Sequence, residues 1–341
     1  MWKWLAIVGC TPQPSGRPNE HDPFTVEPGP QTEDTETPGG TTPDTAFVPD
    51  STISEATGWI AADAGPEATC GVRATRELEC WGDLHLIDST FDVPYGSFEK
   101  VAVGDRHVCA ITSAPRTLVC FGDDDHGQSS PPAGTGWVEI SAGGNHTCAR
   151  LGTGEVECWG DDSQGQLDLL AVGYDQIAAG YAHTCGITNA TGTVQCAGSN
   201  AFGESSDPAG FGSSNTSVAA GRYVTCAITS NDYGSACAGD AADLQLSDQY
   251  IANTDIAVGG GFVAVLAGQG YDNRTIHGRG NVPWDDLDGP VESTSWYGDV
   301  LPSARYSSIT AGDRHLCLLA PASNDLFCLG DDSQGQVAIP P

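Results

Sequence analysis

Cations are scarce in this chain. Its 341 residues carry two lysines and 11 arginines against 31 aspartates and 14 glutamates, a formal net charge of −32 at pH 7. A surface that acidic repels phosphate backbones, which sets nucleic acid aside as a partner. No apolar run approaches the roughly 18 residues of a membrane-spanning helix. No segment of the repeated region, residues 58–341, keeps a helical period of apolar residues. Gly-x-Ser-x-Gly, His-Glu-x-x-His and a phosphate-cradling glycine loop are all missing. Carboxylates are so numerous that no catalytic pair stands out among them, and no catalytic residue is assigned. Cys-x-x-Cys is missing too, which argues against a zinc site.

What the chain does have is cysteine in pairs. Twelve of its 13 cysteines form Cys70/Cys80, Cys109/Cys120, Cys148/Cys158, Cys185/Cys196, Cys226/Cys237 and Cys317/Cys328. Each pair is spaced 10 or 11 residues, and the first members of the first five pairs lie 39, 39, 37 and 41 residues apart. Between Cys226 and Cys317 one more unit fits, opening at Ala257-Val258-Gly259, with Ala264 and Ile276 near the cysteine positions. A period of about 40 means a repeat architecture.

Other residues share the period. Each unit carries a small residue followed by Gly, from Ala64-Gly65 to Ala311-Gly312. Four units place a histidine two residues before the first cysteine: His107, His146, His183 and His315. After the second cysteine come pairs such as Trp81-Gly82, Phe121-Gly122, Trp159-Gly160 and Leu329-Gly330. Three units add Gly127-Gln128, Gly165-Gln166 and Gly335-Gln336. Val138-Glu139-Ile140-Ser141 alternates as a half-buried strand does, and Gly152-Thr153-Gly154 sits between two strand-like runs as a hairpin turn. Four strands per unit, seven times over, predicts an all-β chain forming a radially closed, seven-bladed β-propeller.

The set Ala-Gly, His-Thr-Cys, Cys-Trp-Gly-Asp and Gly-Gln-Leu resembles the regulator of chromosome condensation repeat family, over roughly residues 58–341. Trp is followed here by Gly, not Asp, unlike the Trp-Asp repeat type. The resemblance implies a propeller, not one function. Secreted bacterial members of that family include β-lactamase inhibitory proteins, which bind through one face; no residue here matches such an interface. In this family a histidine at that position is usually a hydrogen-bonded structural residue.

Opposed residues of an antiparallel hairpin come close enough for a disulfide, so each cysteine pair is expected to bridge its own hairpin. Such bridges require an oxidising compartment. Cys10 is left over. Ile7-Val8-Gly9-Cys10 looks like a bacterial lipobox, in which residues 1–9 are a signal peptide and Cys10 carries the lipid. The apolar run Leu5-Ala6-Ile7-Val8 is shorter than usual, leaving two readings open: a start upstream of Met1, or a fortuitous match. By family habit Thr11 after the cysteine favours the outer membrane. Residues 10–50 are rich in Pro, Thr, Asp and Glu with few apolar side chains, and read as a disordered tether before the propeller at 51–341.

The loops opening Asp123-Asp124-Asp125, Asp161-Asp162 and Asp331-Asp332 faintly resemble oxygen-rich Ca²⁺ loops but lack their full spacing, and they coincide with family turns. No cofactor is expected beyond that weak Ca²⁺ possibility. Repeat symmetry fails most between Ala264 and Cys317, where residues 281–306 hold Trp284, Trp296, Tyr297 and Tyr306. Aromatics on a loop over a rigid scaffold suit binding, so Trp284, Trp296 and Tyr297 are the candidate contacts; the competing reading is a connector that covers the sixth unit. The whole reads as a lipid-anchored, extracytoplasmic binding scaffold of a bacterial envelope with a protein or glycan partner. A propeller-face hydrolase or lyase, or a purely structural envelope component, is the alternative.

Overall fold

The structure, a computed structural model, describes residues 52–84, 93–206, 211–230, 234–240, 253–269, 273–280, 306, 308–320 and 323–340. Cys10 and the tether at 10–50 lie outside them, as do Trp284, Trp296 and Tyr297.

The strands form seven antiparallel sheets. Blade 1 comprises Trp59–Ala64, Ala68–Arg73 and Leu78–Gly82. Blade 2 is Phe98–Val103, His107–Thr112 and Leu118–Gly122; blade 3 is Trp137–Ala142, His146–Leu151 and Val156–Gly160. Blades 4 and 5 are Tyr174–Ala179, His183–Thr188, Val194–Gly198 and Asn215–Ala220, Val224–Thr229, Ser235–Gly239. Blade 6 is Asn253–Val258, Phe262–Gln269 and Asn273–Gly280; blade 7 is Ser308–Ala311, His315–Ala320 and Asp325–Gly330. Each blade packs on the next, and blade 1 touches blade 7, so the ring closes. Closure is reinforced by Thr52–Thr57, which pairs antiparallel with Asp325–Gly330 as the fourth strand of blade 7.

Elsewhere the described sheets have three strands, not the four expected from the period. In blades 2 and 3 the Gly-Gln turn follows the third strand and docks on the next blade, and blade 7, which has its fourth strand, carries the same turn. The Gln128 carbonyl of the blade 2 turn accepts Trp159 Nε1 at 2.9 Å and Thr147 Oγ1 at 3.2 Å, both from blade 3. The Gln336 carbonyl accepts Trp81 Nε1 and Thr69 Oγ1, each at 2.9 Å, carrying blade 7 onto blade 1. The Gln side chain holds its own turn: Gln128 Oε1 accepts the His126 N–H, and Gln166 Oε1 that of Gln164. Blade 4 does the same with Glu204, whose carboxylate accepts the Phe202 N–H at 2.7 Å.

Six disulfides join Cys70–Cys80, Cys109–Cys120, Cys148–Cys158, Cys185–Cys196, Cys226–Cys237 and Cys317–Cys328. Every one links directly opposed residues of the middle and third strands, with Cα atoms 4.0–4.1 Å apart. In blade 6 the residue opposite Ala264 is Gly278, not Ile276; Ile276 pairs with Leu266 two positions along, on the same side of the sheet, because this hairpin is longer. The bridge is thus replaced by a small pair. Installing Ala264→Cys with Gly278→Cys should close a seventh staple and stabilise the domain by about 3 kcal/mol. The check is a rise in denaturant midpoint that reductant removes; a double variant whose cysteines stay free to alkylation would show the register to be otherwise.

The inner strands would expose unpaired edges to the central channel, and side chains from neighbouring blades answer that need. Asp63 of blade 1 accepts the Val103 N–H of blade 2 at 2.8 Å, and Gln176 of blade 4 accepts the Val218 N–H of blade 5 at 2.9 Å. Asp255 of blade 6 accepts the Ile309 N–H of blade 7 at 3.1 Å. At the channel wall, desolvation pushes Asp63 up to about 6 despite bonds from Thr310, Val103 and Ala64.

Candidate interaction face

Inner strands of all seven blades run to the same end and finish there in a small residue and Gly. The glycine is needed because the ring of the histidine three residues on lies where a side chain would be: a Cβ on Gly104, Gly143, Gly180 or Gly312 would overlap His107, His146, His183 or His315. Those four histidines are fully buried. Each Nε2 meets a threonine of the following blade: His107 with Thr147 at 2.7 Å, and His146 with Thr184, His183 with Thr225 and His315 with Thr69 at 2.8 Å. The blades without the histidine show the reciprocal change. Ala68, Val224 and Phe262 take its place, and the facing positions of the next blades are Val108, Val263 and Leu316. A buried polar pair is kept whole or replaced whole, as the cost of an unmatched partner requires. The histidines are therefore a structural belt spread round the ring, and burial lowers their pKa values to about 4 for His107, His183 and His315 and about 3 for His146.

Inside the belt runs a channel of about 230 Å³. It is walled by the last residues of the inner strands, Ala or Val in every blade from Ala64 to Ala311. The next position after each Gly varies from blade to blade, and in six of them it lines the mouth: Pro66, Asp105, Gly144, Tyr181, Arg222 and Asp313. Burial pushes Asp105 up to about 6; Arg222 across the mouth pulls it down and Asp313 pushes it up. Glu67 beside them is also raised, first by burial and then by Asp313.

The Asp-rich turns stand on this same face. The Asp123 N–H donates to the Arg106 carbonyl at 2.8 Å, Asp161 to Asn145 at 2.8 Å and Asp331 to Arg314 at 3.0 Å. Their carboxylates mostly hold their own turns. Asp161 accepts the Ser163 N–H at 3.0 Å, the Ser163 hydroxyl at 2.9 Å and Gln166 Nε2 at 3.0 Å. Burial raises its pKa, but these bonds outweigh it and the net direction is downward. No three carboxylate, histidine or cysteine side chains converge as a metal-holding group among the described residues.

One sector of the acidic rim differs. In blade 4 the turn reads Ser199-Asn200-Ala201-Phe202 where other blades have Asp161-Asp162-Ser163-Gln164 or Asp331-Asp332-Ser333-Gln334. Phe202 is 51% exposed, and its ring lies 4.6 Å from that of Tyr223, which is 39% exposed. Beside them Tyr181, 38% exposed, carries the Arg222 guanidinium 4.7 Å from its ring centroid. Sequence reasoning passed over this patch. Its signal was the departure of Phe202 and Tyr181 from their repeat positions, which a search for loop insertions does not see. Tyr306, grouped above with the insertion's aromatics, belongs to the core: it is 1% exposed and packs on Phe327.

Comparison with known proteins agrees with this architecture. Residues 98–128, 137–166 and 174–204 match the Regulator of chromosome condensation (RCC1) repeat, one match in each of blades 2, 3 and 4. The chain carries three consecutive RCC1 repeats and is an all-β propeller. Its fold is similar to that of human WBSCR16, at 13% identity and TM-score 0.60 over 82% of this chain and 87% of that one. It is equally similar to Prp20p of Saccharomyces cerevisiae, at 13% identity and TM-score 0.60 over 79% and 81%. The ectodomain of the Physcomitrella patens receptor kinase CR4 matches at 22% identity and TM-score 0.51, covering 63% of this chain. This chain spans 60% of that ectodomain's length.

Proposed function

We propose that this protein is a non-catalytic binding scaffold of an oxidising, extracytoplasmic compartment, engaging a protein partner through the Ala-Gly face of its propeller. One observation carries the reading. The positions that repeat — Gly, His, Thr, Cys and Gln — all hold the blades together, whereas the positions that vary at the channel mouth converge on that face with an exposed Tyr-Phe-Tyr-Arg patch. Aromatics and arginine are the side chains that dominate binding energy at interfaces. Among propellers of similar fold, Prp20p has binding properties towards Gsp1p and histones. Six disulfides, each with its middle-strand cysteine buried, support the oxidising compartment. Lipidation of Cys10, with residues 10–50 as tether, belongs to the same reading and rests on the lipobox pattern.

The test is photo-crosslinking in the native cells. Crosslinkers at Asp125 and Gln164 report on the Ala-Gly face, and ones at Thr75 and Thr153 on the opposite hairpin turns. A partner should be captured from the first pair and not the second. Capture from the hairpin turns alone would move binding to the other face. Intact mass of the same extract should show a chain beginning at acylated Cys10; a chain retaining Met1 removes the anchor.

A further inference from the structure

We infer that the patch of Tyr181, Phe202, Tyr223 and Arg222 is a docking site for a cationic segment, a stretch of partner protein presenting Lys or Arg side chains. The inference rests on the reading that this face binds protein, and adds the partner's chemistry.

Large hydrophobic side chains are exposed at only six positions among the described residues, and three of the six lie here, Phe202 against Tyr223 and Tyr181 against Arg222, the residue before Tyr223. The patch already shows its preference, since Arg222 occupies the Tyr181 face as a further cation would occupy the Phe202 and Tyr223 faces. It is also built to be rigid. The Tyr181 N–H donates to the Gly221 carbonyl and the Gly144 N–H to the Tyr181 carbonyl, both at 3.1 Å, locking blades 3, 4 and 5 together at the mouth. A platform fixed beforehand loses little entropy when a ligand lands on it.

Charge decides between occupants. Within the patch the blade 4 turn has lost its aspartates, leaving Ser199 and Asn200, so an apolar stem can lie on the rings without stranding a carboxylate. Around it stand Asp161 and Asp162 on the blade 3 turn, Asp240 after blade 5, and Asp105 and Asp313 across the mouth. Arg222 is offset by Asp105 and does not reverse that field. A cationic segment is drawn in by the net charge of −32 and then held by ring faces flanked with carboxylates. An anionic partner meets repulsion except at Arg222, since Arg106 and Arg314 elsewhere on the face are each paired with an aspartate. A second copy would bring another −32 to the same place.

The experiment uses the full chain and three short labelled peptides of equal length, Gly alternating with Arg, with Ser or with Glu. Fluorescence anisotropy should show binding of the Arg peptide alone, weakening from ~50 to ~300 mM salt as screening shortens. The triple variant Tyr181→Ala, Phe202→Ala, Tyr223→Ala removes no charge, so a merely diffuse attraction would leave its affinity unchanged. Its affinity should instead fall by about tenfold or more, while Tyr95→Ala, the same change at another exposed ring, has no effect. Arg222→Gln should leave binding of the Arg peptide equal or tighter; weaker binding would point to an anionic ligand. Should the triple variant lose thermal stability, Phe202→Ala alone, at the most exposed of the three rings, serves as the readout. Unchanged affinity in these variants, preference for the Ser or Glu peptide, or a dimer that the triple variant disperses would each overturn the assignment. If the peptides fail while Asp125 and Gln164 still capture a partner, the face stands and only its cationic preference falls.

Discussion

Acidification from about pH 7 to about pH 4 is expected to destabilise the propeller heavily, through the histidine belt. Thr184 Oγ1 gives its proton to the Gln166 carbonyl at 2.8 Å, and Thr69 gives its own to Gln336 at 2.9 Å. In those pairs the histidine Nε2 must be the donor to threonine, which leaves Nδ1 as the bare nitrogen. The Nδ1 atoms of His107, His146, His183 and His315 are buried with no hydrogen-bond partner. Protonation would place a charged N–H there with nothing to receive it. Burial accordingly holds three of these pKa values down to about 4 and that of His146 to about 3. Because each folded value lies below the unfolded one of about 6.5, the unfolded chain takes up the proton first. The stability is fully present above that value and is lost as pH falls towards the folded one, by about 3 kcal/mol per histidine.

Five carboxylates work the other way, Glu67, Glu139 and Asp255 raised by burial among them. Asp63 and Asp105 are raised to about 6, so the folded state protonates first and gains stability as pH falls below that. The four large histidine shifts, joined by Asp161, Glu204 and Asp331, whose lowered pKa values lose stability in the same direction, leave a net loss. Denaturant midpoints measured across that range should drop, and His183→Gln should flatten the slope by about a quarter of the belt's share. A midpoint that is flat or rises on acidification would refute the neutral belt.

The repeat was legible because each blade is a local object. Cysteines in register across one hairpin and a glycine beneath one histidine both lie within a single period of sequence. The relations between blades were harder to see. A carbonyl of Gln128 holding Trp159 leaves no trace in strand periodicity, so a fourth strand was expected where a docked turn suffices. The histidine–threonine rule was present in the letters, since Ala68, Val224 and Phe262 are matched one blade on by Val108, Val263 and Leu316. It reads only once the direction of ring packing is known. The binding patch lay furthest out of reach. Trp284 and Trp296 stand in an insertion that breaks the period, whereas Tyr181, Phe202 and Tyr223 sit in units of ordinary length, and Phe202 reaches Tyr223, and Tyr181 reaches Arg222, only when blade 4 packs on blade 5.

Reduction of the six disulfides should have a still larger effect than acid. Each bridge closes a loop of 10 or 11 residues, which the chain-entropy relation values at about 2.5–3 kcal/mol. Six such terms approach about 15 kcal/mol, the upper end of the whole stability of a typical domain. The sum is an upper limit, since neighbouring staples in one closed ring are not independent. The bridges also sit at the most demanding place in each blade. Cys148 and Cys185 are fully buried, and their sulfurs lie 3.7 Å and 3.4 Å from the belt threonines Thr184 and Thr225 of the next blade. Opening a bridge therefore loosens the contact between blades as well as the hairpin. Blade 6 is the internal comparison: its Ala264–Gly278 pair shows that the sheet itself needs no bridge, so the loss should appear as lower stability of an otherwise similar fold. Guanidinium unfolding before and after complete reduction should show the midpoint falling most of the way to zero. Cys148→Ala with Cys158→Ala should lose only one bridge's share, about 2–3 kcal/mol. The Arg peptide should also cease to bind the reduced protein near its new midpoint, since the Cys185–Cys196 staple lies in the blade that carries Tyr181. A midpoint unmoved by reduction would mean that packing alone holds the ring, and would remove the main argument for an oxidising compartment.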